Sequence, residues 1–539
     1  MTDMLELSRR HLLQTSVAGA TLAAMPGLAL AADGATVETT YGALKGGMEN
    51  GVHFFRGIPY GASTAGAGRF MAPRRPAKWS GVRDATHYGQ RAPQIPGPPM
   101  SFTGAEKQPI GEDCLMLSVW TPKPDGAKRP VMVWLHPGGY AIGAGSDYTG
   151  NGNLSKKEDV VLVEVNHRLN IFGFLYLAGI SEKYADSGMA GMLDIVAALE
   201  WVRDNIAKFG GDPNRITIFG ESGGGGKVST LMAMPSAKGL FHRAIAESGF
   251  ALKQTEPAAA TQSAERVLEV LNLKRDQVDE LQKLPWERVL KAFEEASTVS
   301  SGGTRVGFGP VVDGRSLPRH PWSPDAPAVS ADIPFLLGCA KDETTILMGL
   351  LGSDPEKMFN LSDGEMRSRL KGVLKADDAA IDGLVAAYRK SRPNASPSSV
   401  FFDITSDNMM RLPSILQGER KADQKRAPAY VYLFTWPAPV MGGKLGATHG
   451  AELPFVFDTT EASPERVGTG PGLNTLTDQV RGAWAAFART GDPNHAGLPK
   501  WAAYNRETRP TMIFDMPSRV VEDWGRDDRV ALQQVHPPA

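Results

Sequence analysis

Short apolar runs alternate with longer amphipathic stretches along most of this chain. Val131-Met132-Val133-Trp134-Leu135 runs without a polar residue into His136-Pro137-Gly138-Gly139, which predicts a buried strand stopped by a glycine loop. A second apolar strand is predicted at 160–165. Ile195, Leu199, Val202 and Ile206 then recur at i, i+4, i+7 and i+11, one face of a helix. That helix stops at the turn residues of Phe209-Gly210-Gly211-Asp212-Pro213. A strand is predicted at 216–219, followed by a glycine-rich turn and a helix from about Gly224. Further strands fall at 335–338 and 430–434. Strands alternating with helices predict an α/β fold with a mostly parallel sheet covered on both faces. The stretches 255–300 and 355–425 are charged, Ala/Leu-rich and helical in period, and read as large helical excursions. The segment 90–111 is proline-rich without a period, a long surface loop of the kind that often acts as a lid.

Composition changes this picture little. The 539 residues carry 58 basic and 59 acidic side chains, a net charge of −1, which gives no electrostatic reason to bind nucleic acid or an anionic membrane. No linker, charge block or repeat divides the chain after its first segment, so 32–539 is read as one domain. Two cysteines, Cys114 and Cys339, exclude a disulfide framework and read as unpaired buried thiols. The N-terminus is different. Ser8-Arg9-Arg10-His11-Leu12-Leu13 precedes a weakly apolar run that ends at Ala29-Leu30-Ala31, a small-x-small cleavage pattern. Residues 1–31 resemble a twin-arginine signal peptide, which implies a periplasmic or secreted protein. No other stretch is apolar enough to span a bilayer, so no stable membrane association is expected after cleavage.

The chemistry centres on Gly220-Glu221-Ser222-Gly223-Gly224, a G-x-S-x-G pentapeptide between an apolar strand and a helix. A sharp strand-to-helix turn would expose the Ser222 hydroxyl, and the helix N-terminus would face developing negative charge. Serine needs a base. His449 sits in the small-residue loop Gly446-Ala447-Thr448-His449-Gly450 and is either that base or a solvated loop histidine. The base needs an acid to fix its tautomer. Asp342-Glu343 follows a predicted strand, and these are either the acid and its neighbour or two solvated loop acids. Gly138, Gly139 and Gly223 can present backbone N–H groups to an oxyanion.

Taken together these segments resemble the type-B carboxylesterase family, which includes acetylcholinesterases, liver carboxylesterases, fungal lipases and bacterial nitrobenzyl esterases. The resemblance spans nearly the whole chain after residue 31. It rests on Phe55-Arg56-Gly57-Ile58-Pro59-Tyr60, Glu112-Asp113-Cys114-Leu115, Asn166-His167-Arg168-Leu169, Phe209-Gly210-Gly211-Asp212-Pro213, the elbow, Pro310-Val311-Val312-Asp313-Gly314 and Phe487-Ala488-Arg489-Thr490-Gly491. It implies an α/β-hydrolase fold and ester hydrolysis through an acyl-enzyme. Ser222 becomes nucleophile, His449 base, Glu343 of Lys341-Asp342-Glu343 the acid, and Gly138, Gly139 and Gly223 the oxyanion donors. It implies no metal or cofactor, and a small-molecule ester as partner. The chain departs from the family at Pro137 (usually Gly), Gly223 (usually Ala) and Ala92 (a cysteine in many eukaryotic members). Near Gly104 no tryptophan stands where cholinesterases seat choline, which argues against that activity. Thr304 and Val306 fall where acetylcholinesterases place two acyl-pocket phenylalanines, which implies room for longer acyl groups. Two other readings stay open: a lipase with 90–111 as lid, and a non-catalytic binding protein, against which the intact Ser222, Glu343 and His449 weigh.

Overall fold

The computed structural model describes residues 34–95, 108–297, 307–350, 352 and 354–536. The predicted signal peptide, most of the lid and both acyl-pocket residues, Thr304 and Val306, lie outside the described residues.

A three-stranded sheet is formed by β1 (Thr36–Glu38), β2 (Ala43–Lys45) and β5 (Val82–Asp84). The central sheet has eleven strands. Its members are β3 (Gly47–Glu49), β4 (Val52–Pro59), β6 (Met116–Thr121), β7 (Arg129–Leu135), β8 (Val161–Val165), β9 (Gly211–Glu221), β10 (Arg243–Glu247), β11 (Phe335–Ala340), β12 (Ala429–Phe434), β13 (Pro510–Phe514) and β14 (Arg519–Glu522). They lie in the order β14-β13-β12-β11-β10-β9-β7-β8-β6-β4-β3. The run from β8 through β13 is parallel, and antiparallel pairs close both edges. This is the mostly parallel sheet of an α/β-hydrolase fold.

The unbroken apolar character of β7 follows from burial on both faces. Side chains alternate along a strand. Val131, Val133 and Leu135 join the core on one face with Ile195, Leu199 and Val202 of the helix Ala190–Asn205. Met132 and Trp134 join the other with Val480, Trp484 and Phe487 of the helix Leu473–Thr490. Each large side chain fully withdrawn from water contributes roughly 1.5–3 kcal/mol. Both helical excursions form, and each carries its own apolar cluster: one under Pro257–Val270 and Trp286–Ser297, the other among helices between Pro355 and Asp423. Among the described residues no helix is long and apolar enough to cross a membrane. Cys114 and Cys339 are buried and unpaired.

Several motif residues turn out to brace this frame. Arg69 grips Glu112 through two hydrogen bonds of 2.7 and 2.6 Å. Arg168 does the same to Asp194, at 2.8 and 2.6 Å, with both side chains buried. The latter pair ties the loop after β8 to the helix Ala190–Asn205. A planar guanidinium suits this two-pronged geometry. The order of β8, β7 and β9 reverses about β7, and ligands in open α/β sheets bind beyond the strand ends at such a reversal.

Candidate active site

Strand register brings the site together. Leu135 pairs with Gly220, and Glu221 pairs with Glu247, so β7, β9 and β10 end side by side. Strand β9 turns abruptly into the helix Gly223–Leu231, and Ser222 absorbs the turn with φ 57° and ψ −122°. That is a strained backbone for a residue with a Cβ. The turn is tight because glycines follow it. A Cβ on Gly223 would lie 2.0 Å from the carbonyl oxygen of Gly139, and one on Gly224 1.9 Å from that of Leu135. The Ser222 N–H donates to Glu247 O at 2.8 Å. Its partly exposed hydroxyl makes no hydrogen bond among the described residues.

The loop after β7 folds back on itself. Ala141 and Ile142 both donate their N–H to Gly138 O, at 3.1 and 3.2 Å. Gly138 has φ 98°, and a Cβ there would meet Ile142 O at 2.2 Å. Gly139, at φ 66°, is exposed and packs against Gly223. Gly223 opens its helix, so its N–H has no intrahelical acceptor. The three sequence-predicted oxyanion donors thus lie on two backbone segments in direct contact beside Ser222.

Glu343 and Asp342 divide their work. Glu343 is fully buried. Its Oε1 accepts from Ser248 Oγ at 2.5 Å and from Ala340 N at 2.8 Å, and its Oε2 takes the Nδ1–H of His449. Asp342 instead clamps the loop that carries His449. Its N–H donates to Ala447 O at 2.8 Å, and its Oδ2 accepts from Ala447 N at 2.9 Å. Lys341 Nζ donates to the other oxygen of Asp342 at 2.7 Å.

The far ring nitrogen of His449, Nε2, lies 3.2 Å from Glu221 Oε1. Sequence reasoning missed this contact, and with it Ser248 and the buried carboxyls of Glu247 and Glu452. The only available signal was the position of Glu221 inside the pentapeptide. Burial, with the charges of Glu452 and Glu343, pushes Glu221 up to about 8 against the opposing pull of His449. Burial and the Glu343 charge push Glu452 up to about 7, while Tyr432 donates to it at 3.0 Å. Burial, then Glu452, drives Glu247 well above the carboxylate range. Burial by itself would lower His449; the carboxylates of Glu221 and Glu343 outweigh it and hold the ring up at about 10. The approach is electrostatic: Glu221 Oε1 accepts no hydrogen bond among the described residues.

The two described ends of the segment 90–111 are held together. Arg91 N donates to Pro109 O at 2.8 Å, Gly111 N to Arg91 O at 3.0 Å, and the Arg91 side chain pairs with Asp147 at 2.6 Å.

Comparison with known proteins identifies the family. Residues 33–532 match the carboxylesterase family profile. A para-nitrobenzyl esterase of Bacillus subtilis is 36% identical over 506 residues, 92% of this chain and 98% of that protein. A phenmedipham hydrolase of Pseudarthrobacter oxydans is 34% identical over 514 residues, again 92% and 98%. Among solved structures, a Geobacillus stearothermophilus carboxylesterase superposes with a TM-score of 0.80 at 36% identity, covering 92% of this chain and 100% of that one. Profile, relatives and architecture agree, and this chain belongs to the carboxylesterase family.

Proposed function

We propose that this enzyme hydrolyses carboxylic esters by two acyl transfers through Ser222. Ser222 Oγ attacks the ester carbonyl while its proton passes to His449 Nε2. The resulting oxyanion is met by the N–H groups of Gly138, Gly139 and Gly223. Collapse expels the alcohol, which takes the proton from His449, and leaves an acyl-Ser222. Water then attacks that ester, with His449 again as base, and releases the acid. Glu343 holds the imidazole with Nδ1 protonated and stabilises its charge. For Nε2 to accept the serine proton it must first lose its own, a step that the carboxylates of Glu221 and Glu343 oppose by holding the ring up at about 10. The observation that carries this reading is the hydrogen bond of His449 Nδ1 to a fully buried Glu343, on a loop beside a strained, partly exposed serine. Catalytic hydrogen bonds often tighten only when substrate is present, so the open Ser222 hydroxyl is compatible with it. A fluorophosphonate should label one site per chain, mapped to Ser222 by peptide mass analysis. Labelling elsewhere, or none, would remove the assignment. A para-nitrobenzyl ester is a natural first substrate, given the relative of that name. On the acyl side, Thr304 and Val306 are proposed to leave room for groups larger than acetyl.

We also infer export of the folded protein by the twin-arginine route, on the strength of Arg9-Arg10 ahead of a weakly apolar run. Changing both to lysine should hold the precursor in the cytoplasm of an expressing bacterium. An unchanged periplasmic yield, read by fractionation and immunoblot, would sink the idea.

A further inference from the structure

The helix that follows Ser222 carries a lysine with no access to water. Lys227 stands five residues after Ser222 and is fully buried. A buried ammonium is costly unless it is paired. Its Nζ donates to the main-chain oxygen of His136 at 2.8 Å and stands 5.8 Å from the centre of the Tyr140 ring. Among the described residues it forms no ion pair, and burial alone brings its pKa down to about 7.

Its neighbours are two stacked imidazoles, His136 and His167, with ring centres 5.0 Å apart. His136 Nδ1 donates to Pro137 O and His167 Nδ1 to Arg168 O, both at 2.7 Å. A carbonyl oxygen can only accept, so each ring carries its proton on Nδ1. Burial, reinforced by the charge of Lys227, pushes both rings well below the usual histidine range. They stay neutral, and the Lys227 ε-amino group is the member of the trio that donates to the His136 carbonyl.

The acceptor matters more than the cost. His136 opens the loop that carries Gly138 and Gly139. Its peptide link leads into Pro137, whose ring fixes φ and which has no N–H. The His136–Pro137 peptide is therefore held at its carbonyl by the ε-amino group and at its nitrogen by the pyrrolidine ring. The helix that begins at Gly223 supplies the third donor, and this same helix supplies the tether. Resting on the acyl-transfer reading above, we propose that Lys227 is a positioning residue of the oxyanion hole. Its ε-amino group, bonded to His136 O, fixes the His136–Pro137 peptide against the nucleophile's helix and so sets where the Gly138 and Gly139 N–H groups point.

This role and a purely structural one predict opposite trade-offs. A lysine kept for stability would lower the melting temperature when lost. A lysine kept for the oxyanion hole pays in stability for rate, so an apolar side chain of similar length should stabilise the fold and slow the chemistry. The test uses full-length Lys227→Met, with Lys227→Gln as a second neutral variant should the first fold poorly. Fluorophosphonate titration counts working sites, so kcat is expressed per titrated site. A fall in kcat of about 10- to 100-fold is expected, less than loss of a donor itself usually costs. KM should stay within about 3-fold, because transition-state donors act little on the ground state. Affinity for an aryl trifluoromethyl ketone, whose adduct places an oxyanion in the hole, should fall in step with kcat. The melting temperature should not fall. Wild-type kcat and ketone affinity in a fully titrating variant would overturn the proposal. So would a lower melting temperature with kcat per site unchanged. A wild-type enzyme that fails to titrate would instead defeat the Ser222 assignment.

Discussion

Ser222→Ala is expected to lower kcat by about 10⁶-fold while shifting stability by less than about 1 kcal/mol. The two halves of that expectation have separate causes. In the proposed mechanism the hydroxyl oxygen is the atom that forms the acyl bond, and no neighbouring group substitutes for it. What survives is the modest acceleration from an intact oxyanion hole and substrate binding. Stability is spared because the hydroxyl makes no hydrogen bond among the described residues, so its loss strands no buried partner. The strain at φ 57° is the same for alanine as for serine, since both carry a Cβ. Turnover of a para-nitrophenyl ester and a calorimetric melt read the two halves. A variant that retained a hundredth of the wild-type rate would remove Ser222 as nucleophile.

The sequence exposed the fold where burial was symmetric. Strands β7, β8, β11 and β12 are covered on both faces, so they appear as largely apolar runs, interrupted in β8 only by Glu164. Strand β10 did not show itself. Arg243–Glu247 is short, with alanine at two of its five positions and little strand preference, and it is a strand because β9 and β11 flank it. The antiparallel edge strands β3 and β14 are short and part-exposed, only three and four residues long, too brief for an alternating pattern to show. Losing β10 from the sequence reading also lost Ser248 at its end, which hydrogen-bonds Glu343.

The same contrast runs through the site. The elbow was legible because its chemistry is local: a strand, a strained residue and glycines within a few positions. The charged groups packed around it were not. Nothing in the sequence around Glu221, Glu247, Glu452 and Lys227 marks them as buried, yet each is fully or almost fully buried. Their burial is produced by β10, by the loop after His449 and by the glycine-lined contact between helix and sheet. No window of the sequence contains all three. The glycine run after Ser222 has the most direct consequence. It lets the helix approach β7 closely enough for Lys227 to reach His136 O.

Glu343→Gln and Asp342→Asn should differ by orders of magnitude, and the hydrogen-bond pattern says why. Glu343 Oε1 accepts from both Ser248 Oγ and Ala340 N. In a glutamine the amide oxygen must keep that side, because two donors face it. The NH₂ group is then left pointing at His449 Nδ1. A donor there forces the imidazole to carry its proton on Nε2, the wrong tautomer for taking a proton from Ser222. A loss of about 10⁴-fold in kcat is expected from that inversion. The missing charge also removes one of the two carboxylates that outweigh burial at His449, so its pKa falls. The acid limb of the pH profile of kcat/KM should move to lower pH accordingly. In Asp342→Asn the amide oxygen can still accept from Ala447 N, and only the bond from Lys341 is lost. The loop carrying His449 keeps its main-chain bond from Asp342 N to Ala447 O, and kcat should fall by no more than about 10-fold. Steady-state kinetics of the two variants and the wild type across pH 5–11 decide the matter. A larger loss for Asp342→Asn, or an unmoved acid limb in Glu343→Gln, would show that Glu343 does not orient the base.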